Sequence, residues 1–290
     1  VAGVMKLQLG SRLWDPPDRT LVMGILNVTP DSFSDGGRFA DIDRAVAHAS
    51  RMIEDGADLI DIGGESTRPG SAYVSAAEQI RRVRPVVERI RADHGDVVIS
   101  VDTRLAEVAA AALDAGANLI NDVSALQDDP DLGRLAAERK APVILMHMPG
   151  DPGTMQSRAD YGDVVVEVRD FLSRRVEAAA AAGIDRSRLI VDPGIGFGKR
   201  TGHNLEILNR IDILRTLGLP ILLGPSRKGF IGKVTGVEDP EDRLAGTVAV
   251  AAYAASRGVE MVRVHDVGAV RQAVDLISAI LQSGLTRTDG

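Results

Sequence analysis

Apolar residues along this chain gather in short runs of strand length, and each run ends on a polar residue ahead of a stretch with helical period. The first run begins at Leu21 and passes through Ile25-Leu26-Asn27 into Val28-Thr29-Pro30-Asp31-Ser32-Phe33-Ser34-Asp35-Gly36-Gly37, where Pro, Asp, Ser and Gly take over. A buried strand is therefore predicted to end at about Asn27, with a polar loop springing from it. The next segment, residues 41–55, sets Ala45, Ala49, Met52 and Ile53 on one helix face. A second run, residues 58–62, is closed by Gly63-Gly64-Glu65-Ser66-Thr67-Arg68-Pro69-Gly70, and a charged helix is predicted over 75–92.

The unit repeats. Strands predicted over 97–101, 118–120, 142–146, 189–191, 220–223 and 261–264 alternate with helices over 106–115, 131–138, 162–182, 203–211, 243–255 and from 267 to 281. Eight β-then-α units follow one another with no linker between them. They imply an α/β fold closed as a single-domain (β/α)8 TIM barrel, and 290 residues suit that fold, which typically takes ~250. The expected boundaries are an N-terminal extension over 1–19 that caps the barrel floor or forms a short hairpin, the barrel over 20–284, and a tail over 285–290. An open doubly wound sheet would want a break near the middle and a G-x-G-x-x-G in its first turn, and neither is present.

Charge and composition then remove whole classes of function. A net charge of −7 lacks the basic surplus of a general nucleic-acid binder, so an anionic ligand must be met by a few local cations. Without cysteine there is no disulfide framework and no thiolate metal site or nucleophile. No signal-peptide pattern opens the sequence, and no apolar run reaches the ~18 residues of a membrane span. A cytoplasmic location with no membrane partner is expected.

The candidate chemistry lies at the strand ends, which read Asn27, Asp61, Asp102, Asn121, His147, Asp192, Lys228 and, in the eighth unit, Arg263 with His265. A single Asp or Asn in such a place more often caps a helix or makes a turn. Here every strand ends on a polar group, and in a barrel all would open on one mouth. Asp102, Asn121 and Asp192 suit a flat heterocycle rich in N–H donors, since an ionised carboxylate accepts the paired donors of a 2-amino-pyrimidinone edge bidentately. Lys228 and Arg263 add donors for a carbonyl, and Arg263 can stack on a ring. His265 leads into a helix N-terminus, a setting for phosphate, and no second histidine stands at metal-ligand spacing. The run Gly194-Ile195-Gly196-Phe197-Gly198-Lys199 follows a sixth strand and lacks a Walker Lys-Ser/Thr, so it reads as a tight turn with Phe197 as an apolar wall. His48, His94 and His203 read as solvated. The Ala-rich helix over 245–255 is apolar nearly all round, hence either buried in the barrel shell or part of a subunit interface.

Long segments in this order resemble those of bacterial dihydropteroate synthases, a pterin-binding TIM-barrel family. Gly24 to Gly37 and Asp61-Ile62-Gly63-Gly64-Glu65-Ser66-Thr67-Arg68-Pro69-Gly70 are similar to its two signature segments. Ser100-Val101-Asp102-Thr103, Asn121-Asp122-Val123-Ser124, Asp192-Pro193-Gly194, Ser226-Arg227-Lys228 and Arg263-Val264-His265-Asp266 extend the resemblance from about Thr20 to Gln282. It implies condensation of 4-aminobenzoate with 6-hydroxymethyl-7,8-dihydropterin diphosphate to dihydropteroate and pyrophosphate in folate biosynthesis, a Mg²⁺ cofactor, a homodimer and a sulfonamide target. Carried over by motif, Asn27 meets the Mg²⁺ on the diphosphate. Asp102, Asn121, Asp192 and Lys228 hold the pterin, with Met146 nearby. Thr67, Arg263 and His265 meet the diphosphate, and Arg68, Pro69, Phe197, Ser226 and Lys228 surround the aminobenzoate. Catalysis then falls to Lys228, Arg263, His265 and Arg68. A methyltetrahydrofolate-type methyltransferase or a non-catalytic pterin-binding paralogue are the rival readings, and the intact Arg68-Pro69 and Ser226-Arg227-Lys228 segments argue against both. The loops over 29–39 and 66–73 bury little, so they are expected to order around Mg²⁺ and diphosphate before aminobenzoate binds tightly.

Overall fold

A computed structural model of the protein describes residues 6–10, 12–14, 19–29, 37–66 and 73–285. Their first element is an antiparallel hairpin, β1 (Leu7–Leu9) and β2 (Arg12–Trp14), in which Leu7 pairs with Trp14. Strand β3 (Leu21–Asn27) follows, then α1 (Gly37–Glu54), β4 (Leu59–Gly63), α2 (Ala76–Asp93), β5 (Val98–Asp102) and α3 (Ala106–Asp114). Next come β6 (Leu119–Asp122), α4 (Pro130–Arg139), β7 (Val143–Met146), α5 (Val164–Ala181), β8 (Leu189–Asp192) and α6 (Thr201–Asn209). The last units are β9 (Leu222–Leu223), α7 (Gly229–Thr235), α8 (Leu244–Ser256), β10 (Met261–Val264) and α9 (Val267–Leu285).

The eight strands β3 to β10 pair in parallel in the order β8-β7-β6-β5-β4-β3-β10-β9. The ring closes where Val191 bridges Ile221 and the Val191 N–H donates to Pro220 O at 2.9 Å. This is the expected single-domain TIM barrel. The shortness of β9 has a local cause, because Ile221 donates its N–H to the buried Glu260 carboxylate at 2.8 Å instead of to a neighbouring strand. Two boundaries differ from expectation. Helix α1 starts at Gly37 rather than at 41, and the Gly-rich Gly229–Thr235 forms an extra helix in front of α8.

Helix starts follow side-chain chemistry. Asp129 and Asp163 accept the free N–H groups that open α4 and α5, and Ser75 does the same for α2. Pro130 takes the first position of α4, where its missing N–H costs nothing.

Successive side chains on a strand point to opposite faces, and the core divides accordingly. Outward residues such as Val22, Ile60, Val101, Ile120, Leu145, Val191 and Val262 pack under the helices in one large cluster. Inward residues Leu21, Met23, Leu59, Val98, Leu119, Ile144, Ile190, Leu222 and Met261 make a separate apolar floor. Leu7, Leu9 and Trp14 of the hairpin pack on that floor from below. Full burial of a Leu or Ile is worth about 1.5–3 kcal/mol, so this layer is a rigid base for whatever sits above it.

Candidate active site

The polar tier follows from strand periodicity. Two residues beyond Leu59, Leu119, Ile144, Ile190 and Met261 of the floor stand Asp61, Asn121, Met146, Asp192 and Arg263, and Asp102 is four beyond Val98. All therefore point into the barrel above the apolar layer, and Asn27, four beyond Met23, stands half-buried at the end of its strand.

Asp61 is the hub of this tier. It is fully buried, and its Oδ2 accepts from Arg263 Nε at 2.6 Å and from Asn121 Nδ2 at 3.0 Å. An ionised carboxylate only accepts, so Asn121 must turn its NH2 toward Asp61 and its carbonyl away from it. Arg263 also donates through Nη2 to Asp102 Oδ2 at 2.9 Å. Burial disfavours the Arg263 charge, yet the neighbouring Asp61 and Asp102 carboxylates hold its pKa above the usual arginine value. Burial pushes Asp102 up to about 7, with Arg263 opposing and Asp61 and Asp122 adding to the rise.

Asp192 sits across the tier, with Oδ1 accepting from the Gly194 N–H at 2.7 Å. Burial raises its pKa to about 6 against the pull of that N–H and of Lys228 and Lys199. Lys228 carries its ammonium 3.9 Å from the centre of the Phe197 ring. Phe197 packs in turn against a small apolar group of Val123, Met146, Met148 and Met155. Asp61, Asp102, Asn121 and Arg263 thus form one bonded group, and Asp192 stands on the far side beside the strand that leads to Lys228.

Ser226 Oγ lies 2.9 Å from His265 Nδ1 and accepts from the His265 N–H at 3.1 Å, joining the loop after β9 to the start of α9. Between Ser226 and Lys228, Arg227 adopts a left-handed φ of 55°. Asp266 holds its guanidinium with two bonds of 2.8 and 3.0 Å, and Glu241 pairs with it as well. Its N–H donates to Thr247 Oγ1 at 3.0 Å, and its carbonyl accepts from Arg243 at 3.0 Å. These bonds hold the strained residue and so aim Lys228.

Several expected residues stand elsewhere. His147 follows the inward Met146, so it points outward, against Phe171 at 4.8 Å and Tyr161 at 6.1 Å. It lines a separate 450 Å³ cavity instead of the mouth. Asp122 likewise turns outward and ties the loop after β6 through Ser124 and Leu126. The histidines read as solvated are partly engaged. His94 bonds Ser50 Oγ at 2.7 Å, His203 accepts from the Arg200 N–H at 3.2 Å, and half-buried His48 has its pKa lowered by burial. Thr67, Arg68 and Pro69 lie outside the described residues. Among the described residues no three His, Cys, Asp or Glu side chains converge as a metal site.

A family model described as pterin binding enzyme matches residues 23–265. The chain belongs to the pterin binding enzyme family. It is 46% identical over 274 residues to a dihydropteroate synthase of Synechocystis sp., covering 94% of each chain. It is 47% identical over 262 residues to a dihydropteroate synthase of Escherichia coli K12, covering 90% of this chain and 92% of that one. Among solved structures it is similar to a dihydropteroate synthase of Xanthomonas albilineans with 4-aminobenzoic acid, with a TM-score of 0.89 and 49% identity over 96% of this chain and 98% of that one. A structure of that enzyme in complex with 7,8-dihydropteroate gives a TM-score of 0.86 and 47% identity, over 95% and 98% of the two chains.

Within this pterin binding enzyme, sequence reasoning passed over three supports of the mouth. Asp61 was legible as a polar break in an apolar run, but its grip on both Asn121 and Arg263 was not. Arg227 showed only as part of a loop motif. Lys199 gave no signal beyond a basic residue after glycines, although it is buried at 4% exposure.

Proposed function

We propose that this protein is a dihydropteroate synthase, joining 4-aminobenzoate to 6-hydroxymethyl-7,8-dihydropterin diphosphate with release of pyrophosphate. The observation that carries the reading is the inward tier of buried Asp61, Asp102, Asn121 and Asp192 with half-buried Arg263, bordered by Lys228 on Phe197. In this reading Asp192 accepts the 2-amino and ring N–H donors of the pterin, a task for its ionised form, which prevails above about pH 6. Asn121, with its NH2 engaged by Asp61, offers its carbonyl to a further ring donor. Arg263, held flat by two carboxylates, faces the ring and the departing diphosphate. Met146 packs beside the pterin, and Phe197, Ser226 and Lys228 border the aminobenzoate, together with Arg68 and Pro69. Thr67 and His265 join Arg263 at the diphosphate, His265 from the start of the 19-residue α9, whose free N–H groups favour an anion.

The chemistry needs orientation more than activation. The bond between the pterin CH2 and the diphosphate oxygen breaks, its electrons leave with the diphosphate, and the aniline nitrogen forms the new C–N bond before losing a proton to water or to the released pyrophosphate. An aniline is neutral at pH 7, so no strong base is required. Lys228, Arg263, His265 and Arg68 stabilise the leaving charge and line up the reactants. Asn27 is a single neutral oxygen donor, which suits a Mg²⁺ that arrives on the diphosphate and would neutralise its charge.

A homodimer fits the exposed apolar side chains of α8 and α9, where Tyr253, Leu276, Ile280 and Leu281 stand 40–62% exposed. A cytoplasmic location remains our expectation; among the described residues no helix is long and apolar enough to cross a membrane. Pyrophosphate release by purified protein tests the function. Release that requires both the pterin diphosphate and 4-aminobenzoate supports it, and release that is indifferent to aminobenzoate refutes it.

A further inference from the structure

The turn between β8 and α6 holds a buried lysine, Lys199, whose part in the site described above is its pull on Asp192. Lys199 Nζ donates to Gly194 O and Phe197 O at 2.9 Å each and to His147 O at 3.3 Å, and it lies 2.9 Å from His147 Nδ1. In its ammonium form it thus spans four acceptor atoms on two loops. Burial lowers its pKa to about 7, with Asp192 opposing and Lys228 adding. Removing an ammonium from water is unfavourable, and here the backbone carbonyls of Gly194, Phe197 and His147 offset that cost.

Other bonds tie the turn as well: the Gly194 N–H donates to Asp192 and the Gly196 N–H to Asn204, both at 2.7 Å, and Gln156 and Tyr161 donate to the Gly196 and Gly198 carbonyls at 3.1 and 2.9 Å. Lys199 adds the grip on the Phe197 carbonyl. Gly194, Gly196 and Gly198 take φ values of 67°, 85° and 56°, conformations that favour glycine, the residue with the widest backbone freedom. One side presses backbone-first on the loop after β7, since a Cβ on Gly194 would fall 2.0 Å from His147 O. The other side seats Lys228. A Cβ on Gly196 would meet the Lys228 stem at 2.9 Å, and the Phe197 ring lies 3.9 Å from its ammonium.

We propose that Lys199 is a positioning residue for the second substrate. By holding the carbonyls of Gly194 and Phe197 it fixes the Phe197 ring, on which the Lys228 ammonium lies, and through that ring shapes the aminobenzoate pocket without touching the ligand. The proposal rests on the reading of Phe197 and Lys228 as walls of that pocket.

Steady-state kinetics of Lys199→Met, Phe197→Ala and the double variant test it. A wall displaced by about 1 Å costs up to roughly 100-fold, so K199M is expected to raise KM for 4-aminobenzoate by about tenfold or more, and by a larger factor than KM for the pterin diphosphate. A loss of folded protein alone would lower the active fraction and leave both KM values unchanged. If Lys199 acts through Phe197, the double variant keeps the aminobenzoate KM of F197A. Unchanged KM in K199M, or effects that multiply in the double variant, overturns the proposal. Unchanged KM in F197A removes the wall reading, and the proposal falls with it. Should K199M fail to fold, Lys199→Gln, which keeps two N–H donors, is compared in the same way. Failure of both to fold makes Lys199 purely structural and also overturns it.

Discussion

Replacing Asp192 with Asn separates what the polar tier does for binding from what it costs the empty protein. Oδ1 of Asp192 accepts from the Gly194 N–H at 2.7 Å. Asparagine keeps that bond only by turning its carbonyl to Gly194, which puts its NH2 where Oδ2 faced the pocket. A donor of the pterin edge then meets a donor. Losing a charge-assisted bond and stranding a buried donor together cost about 3–5 kcal/mol, or roughly two to four powers of ten in affinity. Stability moves the other way. Burial raises the Asp192 pKa from 3.8 to about 6, so folding takes up a proton at this group. Its contribution to stability is full below about pH 4 and is lost as pH rises through the folded value. At about 1.4 kcal/mol per pKa unit, the ionised carboxylate costs the empty protein about 3 kcal/mol at pH 8, and asparagine removes that cost. Calorimetric titration with a pterin and urea unfolding at pH 8 and pH 5 measure the two effects. We expect crippled binding, no loss of stability at pH 8, and a smaller benefit at pH 5. Pterin affinity within fivefold of the parent, or a protein weakened more at pH 8 than at pH 5, would show that Asp192 does not work this way.

Lys228→Ala is expected to lower turnover by roughly 100-fold or more, because a charge held against Phe197 is lost along with a substrate donor; turnover within a few-fold of the parent would make Lys228 a mere loop residue. Gly194→Ala forces a Cβ to 2.0 Å from His147 O at a positive φ, so denaturant unfolding should show a loss of about 2 kcal/mol or more, and an unchanged midpoint would contradict the close approach. Calorimetry with 4-aminobenzoate should give weak binding to the protein alone and much tighter binding with Mg²⁺ and pyrophosphate present. Equal affinity in both conditions would mean that the aminobenzoate pocket is preformed.

The repeat of strand and helix was legible because apolar spacing changes from runs to a helical period eight times over. What the runs hid was the direction of each side chain. Parallel strands covered on both faces are apolar throughout, so Val143 to Met146 gives no sign that Met146 points in and His147 out. Polar breaks inside runs were better guides. Asp61 and Arg263 interrupt apolar strands, and both stand in the tier, bonded at 2.6 Å. Helix α7 escaped notice because Gly229 and Gly232 weaken its helical pattern, although Phe230 and Ile231 are buried. Lys199 was illegible for a different reason. Nothing in a sequence separates a solvated lysine from one whose ammonium is satisfied by backbone carbonyls, since that depends on where two distant loops meet.

The most direct measurement is the product itself. Purified protein incubated with 4-aminobenzoate, 6-hydroxymethyl-7,8-dihydropterin diphosphate and Mg²⁺ can be assayed for dihydropteroate by mass spectrometry and for pyrophosphate in the same sample. A pterin binding enzyme with the site described here should yield the two in equal amounts, with almost none from Asp192→Asn at the same concentrations. Pyrophosphate without dihydropteroate, or full product from the variant, would contradict that assignment.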